Sequence, residues 1–91
     1  MTQPNITVYG SLTCGDTIRT RDYLNKHDLI FEFKDVDESP EYDGYIAEFS
    51  GGKRIIPLVR IDNENLVNPS IDALREAIEF TETNASTSKT V

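Results

Sequence analysis

Two runs of alternating β-branched and aromatic residues, Ile6-Thr7-Val8-Tyr9 and Leu29-Ile30-Phe31-Glu32-Phe33-Lys34-Asp35-Val36, enclose a stretch of helical periodicity. Alternation with period two marks half-buried strands. A helix between two strands of one sheet requires a crossover, which makes the strands parallel and the unit right-handed. Between Cys14 and about His27, residues Thr17, Thr20 and Leu24 fall on one stripe with Ile18 beside it. A face that weakly apolar suits a helix covering one side of a sheet while its other side stays wet.

The rest of the chain extends this unit. Asp37-Glu38-Ser39-Pro40 is a turn and a helix start, and Tyr42, Tyr45, Ile46 and Phe49 then recur at i, i+3, i+4 and i+7 until Gly51-Gly52 ends the helix. Such an aromatic stripe is core material and implies no cofactor. Ile55 to Ile61 reads as a strand, yet proline cannot sit inside a central strand, so Pro57 is expected as the first strand residue. Asp62-Asn63-Glu64-Asn65 forms a turn and Leu66-Val67 a short hairpin partner. Asn68-Pro69-Ser70 starts a helix with proline near its first position, and Ile71, Leu74 and Ile78 give that helix a buried stripe. The order is strand, helix, strand, helix, strand, strand, helix. One domain over residues 1–80 accounts for all of it, and the polar, non-periodic residues 81–91 are expected to form a disordered tail.

The only cysteine of the 91 residues, Cys14, lies where the first strand passes into the first helix. Thr13 followed by Asp16 is a capping-box pattern, which predicts Thr13 as N-cap and Cys14 in the first helical turn. Unpaired N–H groups and the helix dipole there favour a thiolate. An ordinary thiol is only about 3% ionised at pH 7, so a small downward shift multiplies the nucleophile. His27, the only histidine, is roughly 20 Å further along the helix, too far to act as base. It reads instead as a favourable cation near a helix C-terminus.

A single cysteine excludes an internal disulfide framework and fits a reducing compartment. The N-terminus carries no signal-like segment, and no apolar run approaches the roughly 20 residues of a membrane helix. A cytoplasmic, monomeric protein is expected. The formal net charge of -7 argues against binding nucleic acid or anionic membranes. Against that background Arg19, Arg21 and Lys53 read as solubilising surface charges.

The stretch Val8-Tyr9-Gly10-Ser11-Leu12-Thr13-Cys14-Gly15-Asp16-Thr17 resembles the active-site turn of glutaredoxins, with Thr17 where most members carry a second cysteine or a serine. Gly51-Gly52-Lys53-Arg54 before Pro57, and Asn68-Pro69-Ser70 before the last helix, bring the resemblance nearest to the mycoredoxin type. It implies a thioredoxin-like α/β fold, a four-stranded mixed sheet flanked by three helices. It also implies that Cys14 is the nucleophile and that the Ile56-Pro57 bond is cis, beside the thiol, with the Ile56 backbone pairing with substrate. Arg54 and backbone N–H groups at Ser70 would hold the anionic groups of a small thiol, and helix N-termini bind anions for plain electrostatic reasons.

One nucleophilic cysteine suffices to reduce a mixed disulfide, because a small thiol supplies the second sulfur. Thr17 is placed to donate a hydrogen bond to the thiolate; Asp16 supports the helix dipole but, if close to the sulfur, opposes a second negative charge, and the sequence does not say which effect dominates. The resemblance implies glutathione or mycothiol as co-substrate and thiol-containing proteins as partners, and no metal ligands are expected. Two further classes stay open: a carrier of an iron–sulfur cluster bridged between two chains, which the Asp16-Thr17 departure from Cys-Gly-Phe-Ser weakens, and a catalytically silent interaction module.

Overall fold

The computed structural model describes residues 3–90, the side chains of 81–90 excepted. Its elements follow the expected order: β1 (Ile6–Gly10), α1 (Gly15–Lys26), β2 (Glu32–Asp35), α2 (Tyr42–Phe49), β3 (Leu58–Ile61), β4 (Glu64–Val67) and α3 (Ile71–Thr90). The backbone of residues 81–90, part of the tail expected to be disordered, lies within α3; their side chains and Val91 are outside those described.

The strands form one mixed sheet in the order β2-β1-β3-β4. β1 pairs in parallel with β2, in a register that sets Val8 against Phe33 and Gly10 against Asp35. It pairs antiparallel with β3, which in turn forms a hairpin with β4. This is the thioredoxin-like arrangement of four strands and three helices.

Alternation along the strands divides the interior in two, because successive side chains point to opposite faces. Ile6 and Val8 of β1 and Val59 and Ile61 of β3 pack with Leu24 of α1 and with Leu74 and Ile78 of α3. On the opposite face Leu58 packs with Val36 and with Ile46 of α2, and Tyr9, Tyr42, Tyr45 and Ile56 close around them. The sheet is therefore a middle layer, with α1 and α3 on one side and α2 on the other. Each fully buried Leu, Ile or Val contributes roughly 1.5–3 kcal/mol relative to exposure.

The α1 stripe is buried as expected, with Thr17, Thr20 and Leu24 the covered residues. Several boundaries differ. β2 begins at Glu32, because Gln3 takes up both the N–H and the carbonyl of Ile30 through its side chain. Asp62 adopts a positive φ of 54°, so the turn closes within Asp62-Asn63 and Glu64 and Asn65 already belong to β4. Phe49 ends the aromatic stripe 40% exposed, at the rim of the core. Beyond it Gly51 and Gly52 both take positive φ, which lets the Gly52 N–H return to the Ala47 carbonyl at 2.9 Å. Only glycine adopts two such angles in succession cheaply.

Candidate functional site

The site is built where β1 ends. Cys14 itself is the N-cap of α1, with extended backbone angles, and helical geometry begins at Gly15. The capping-box expectation placed the cap one residue early. The Thr13 hydroxyl is instead 2.9 Å from Ser11 Oγ and makes no cap bond.

Ser11, only 4% exposed, organises this turn. Its carbonyl accepts the Cys14 N–H at 3.1 Å and its own N–H reaches Thr17 Oγ1 at 3.4 Å. Its hydroxyl donates to Asp37 Oδ2 at 2.5 Å and accepts the Thr13 N–H at 3.2 Å. A serine hydroxyl has one proton, already committed to Asp37, so the Thr13 hydroxyl must be the donor in the Ser11–Thr13 pair.

Thr17 is fully buried. Gly10 makes room for it, since a Cβ at Gly10 would lie 2.5 Å from Thr17 Oγ1 and Cγ2. Having accepted from Ser11, the Thr17 hydroxyl keeps a proton for the sulfur of Cys14. The thiol is partly exposed, and its pKa is lowered first by the Thr17 backbone N–H and then by the Thr17 hydroxyl, with the Asp16 N–H adding to them. Burial and the Asp16 carboxylate push back more weakly, so the donors at the helix start win. Asp16 is further occupied by Arg19, 2.5 Å away, and by Asn68 Nδ2 at 3.4 Å.

Two other segments close on the turn. The Ile56-Pro57 peptide is cis. Pro57 is buried directly before β3, rather than being its first residue, and Ile56 is half-buried against the α2 face. The Pro57 carbonyl accepts the Asn68 N–H at 2.8 Å, and the Asn68 side chain reaches Asp16, so the proline loop, the β4–α3 connection and the first turn of α1 are joined. Ser70 is the residue before α3. Its hydroxyl accepts the Ala73 N–H at 3.1 Å and its carbonyl the Leu74 N–H at 2.9 Å, which makes it the N-cap and leaves Pro69 outside the helix.

Arg54 does not stand free as an anion receptor. Its Nε donates to Asp43 at 2.9 Å and its terminal nitrogen to Asp37 at 3.0 Å. Arg21 lies with its guanidinium 4.5 Å from the centre of the Phe33 ring. Among the described residues no group of three or more His, Cys, Asp or Glu side chains could hold a metal ion. The sequence reading passed over Ser11, Asp37 and Asp43. The parallel register that sets Gly10 beside Asp35 carries the signal for the first two, because it brings the residues just beyond both strand ends together.

The glutaredoxin family model matches residues 6–67, more than half of the chain and the whole span from β1 to β4. The chain belongs to the glutaredoxin family. Two Mycobacterium tuberculosis proteins, from strains CDC 1551 and H37Rv, whose own names assign them provisionally to the glutaredoxins, are each 25% identical over 71 residues, covering 77% of this chain and 84% of theirs. The crystal structure of a glutaredoxin from Archaeoglobus fulgidus superposes with a TM-score of 0.70 at 22% identity, over 80% of this chain and 84% of that one. The holo form of glutaredoxin C1 from Populus tremula x tremuloides does so at 0.65 and 18% identity, over 88% and 72%. Both solved structures share the fold. Membership in the glutaredoxins supports a thiol–disulfide oxidoreductase-like role.

Proposed function

We propose that this glutaredoxin reduces mixed disulfides between proteins and a small thiol, working with one cysteine. The observation that carries the reading is the setting of Cys14, a part-exposed thiol at a helix N-cap whose pKa is lowered by Thr17 and the Asp16 N–H. In the first step the Cys14 thiolate attacks the small-thiol sulfur of the mixed disulfide; that S–S bond breaks and the protein substrate leaves as a thiolate that takes up a proton. A second small-thiol thiolate then attacks the small-thiol sulfur now on Cys14, which releases Cys14 as thiolate and forms the small-thiol disulfide. The net reaction consumes the mixed disulfide and one free small thiol and yields the protein thiol and the small-thiol disulfide.

Thr17 holds the thiolate in this scheme, the backbone at Ile56 and Pro57 lies along the substrate, and the small thiol is received by the N–H groups at Ser70 together with the N–H donors that Arg54 keeps beyond its pairs with Asp43 and Asp37. Glutathione and mycothiol are the candidate co-substrates, thiol-containing proteins the partners, and a monomer in the cytoplasm the working form. No helix among the described residues is long and apolar enough to cross a membrane.

The test compares the wild type with Thr17→Cys on two substrates, a peptide–glutathione mixed disulfide and an insulin-like protein disulfide. The wild type is expected to turn over the first and fail on the second, because a protein trapped on Cys14 has no neighbouring thiol to release it. Thr17→Cys is expected to gain the second activity. Equal rates of the two proteins on insulin would defeat the single-cysteine scheme. Absence of turnover of any mixed disulfide, including one made with mycothiol, would leave an interaction module. Arg54→Gln is expected to raise KM for the glutathione substrate by roughly three- to tenfold, the loss of about one charge-assisted contact.

A further inference from the structure

We infer that Asp37 is a positioning residue for Cys14, acting through Ser11. The turn that presents the thiol has one buried polar residue at its centre, and every polar group of that residue is engaged within the turn except the hydroxyl proton, which leaves it for Asp37. The carboxylate anchors the turn from outside, on the loop after β2, 26 residues away in sequence. It is held there in its turn. Asp35 Oδ1 accepts the Asp37 N–H at 3.0 Å, Arg54 from the α2–β3 loop pairs with Asp37 Oδ1, and Asp43 of α2 fixes Arg54 from the other side.

The bonds that matter to the thiol are short-range and directional. Thr17 and Asp16 serve the sulfur only while the Ser11–Cys14 turn keeps its shape, and Ser11 is what ties that turn to Thr17. Asp37 itself is not among the groups acting directly on Cys14; the charged group that does so is Asp16. Its influence is therefore mechanical, carried by an acceptor oxygen rather than by its charge. This rests on no assumption about turnover, because its readout is the thiol itself.

The experiment measures iodoacetamide alkylation of Cys14 against pH in the wild type, Asp37→Ala, Asp37→Asn, Ser11→Ala and the Ser11→Ala/Asp37→Ala double variant. Asp37→Ala is expected to move the midpoint up by about 0.5–1 pH unit, the scale of one hydrogen bond lost to the thiolate form. Asp37→Asn keeps an acceptor for the Ser11 hydroxyl and is expected to restore the wild-type midpoint. Ser11→Ala should shift it as Asp37→Ala does, and the double variant no further. A midpoint unchanged in Asp37→Ala, or lowered in both Asp37 variants as removal of a negative charge would do, overturns the inference, as does additivity in the double variant. Should Asp37→Ala fail to fold, Ser11→Ala against Asp37→Asn decides the same point. An oxidoreductase scheme that fails in turnover assays leaves these midpoints untouched, so the two readings fall separately.

Discussion

The two faces of the sheet are held by different chemistry. Under α1 and α3 the buried hydrophobic side chains are all aliphatic, Ile6, Val8, Leu24, Val59, Ile61, Leu74 and Ile78, and the aromatic Tyr23, Phe31 and Phe33 pack part-buried at their margin. Under α2 only Val36, Ile46 and Leu58 are buried, and a fence of tyrosines surrounds them. Tyr9 lies 5.4 Å from Tyr42 and 5.1 Å from Tyr45, centre to centre, and Tyr45 is 5.1 Å from Phe49. The Tyr45 hydroxyl donates to Asn65 at 2.8 Å and accepts from Arg60 at 3.3 Å, a polar seam that crosses from α2 to the hairpin. The face that carries the thiol helix is thus fixed by non-directional burial. The opposite face is fixed by rings and hydrogen bonds, which tolerate loss of a single member better and specify orientation more closely.

Truncation separates the two faces most sharply. Leu24→Ala removes a fully buried side chain from α1 and is expected to cost about 2–5 kcal/mol. In a domain of this size that lowers the thermal midpoint by roughly 4–8 °C per kcal/mol. Next comes Gly10→Ala, at the join between the aliphatic face and the site. Its methyl would collide with Thr17, and overpacking of that kind costs about 1–3 kcal/mol. Because Thr17 must move, the Cys14 alkylation midpoint should rise as well, which distinguishes this variant from Leu24→Ala. Tyr45→Phe keeps the ring and loses the polar seam, at about 0.5–1.5 kcal/mol in urea unfolding. If Tyr45→Phe proved as damaging as Leu24→Ala, the contrast between the faces would be mistaken.

The smallest effect is one of pH. The folded pKa of Cys14 lies below its unfolded value, so the thiolate stabilises the fold. That contribution is complete above the ordinary thiol pKa and lost as pH falls through the lowered one. The wild type should therefore gain stability relative to Cys14→Ser as pH rises across that window. A flat difference would mean that the donors at the helix start do not reach the sulfur.

Periodicity exposed most of this architecture before any coordinates. Thr17, Thr20 and Leu24 were legible as the buried stripe of α1, and Pro57 marked the start of β3 to within one residue, because both signals are local. The N-cap was misplaced by one residue because the Thr13 hydroxyl is drawn to Ser11, and a capping pattern does not reveal a competing partner. Arg54 was read as a receptor for a small thiol, while the two carboxylates that engage it come from separate elements, Asp37 and Asp43, whose nearness depends on the assembled fold. Long-range pairs of this kind become visible once strand register is known, as Gly10 beside Asp35 shows for Ser11 and Asp37.

A thiolate that ionises easily also meets peroxide easily, and the first product is a sulfenic acid. In many redox proteins a second cysteine catches that species as an internal disulfide. Here the residue one turn along is Thr17, packed without exposure against Gly10, and the chain has no other sulfur than that of Met1. Rescue of an oxidised Cys14 before it passes to the irreversible sulfinic state falls wholly to thiols outside the chain. The lifetime of a reducible Cys14 under oxidative load is therefore set by whatever thiols reach it from outside.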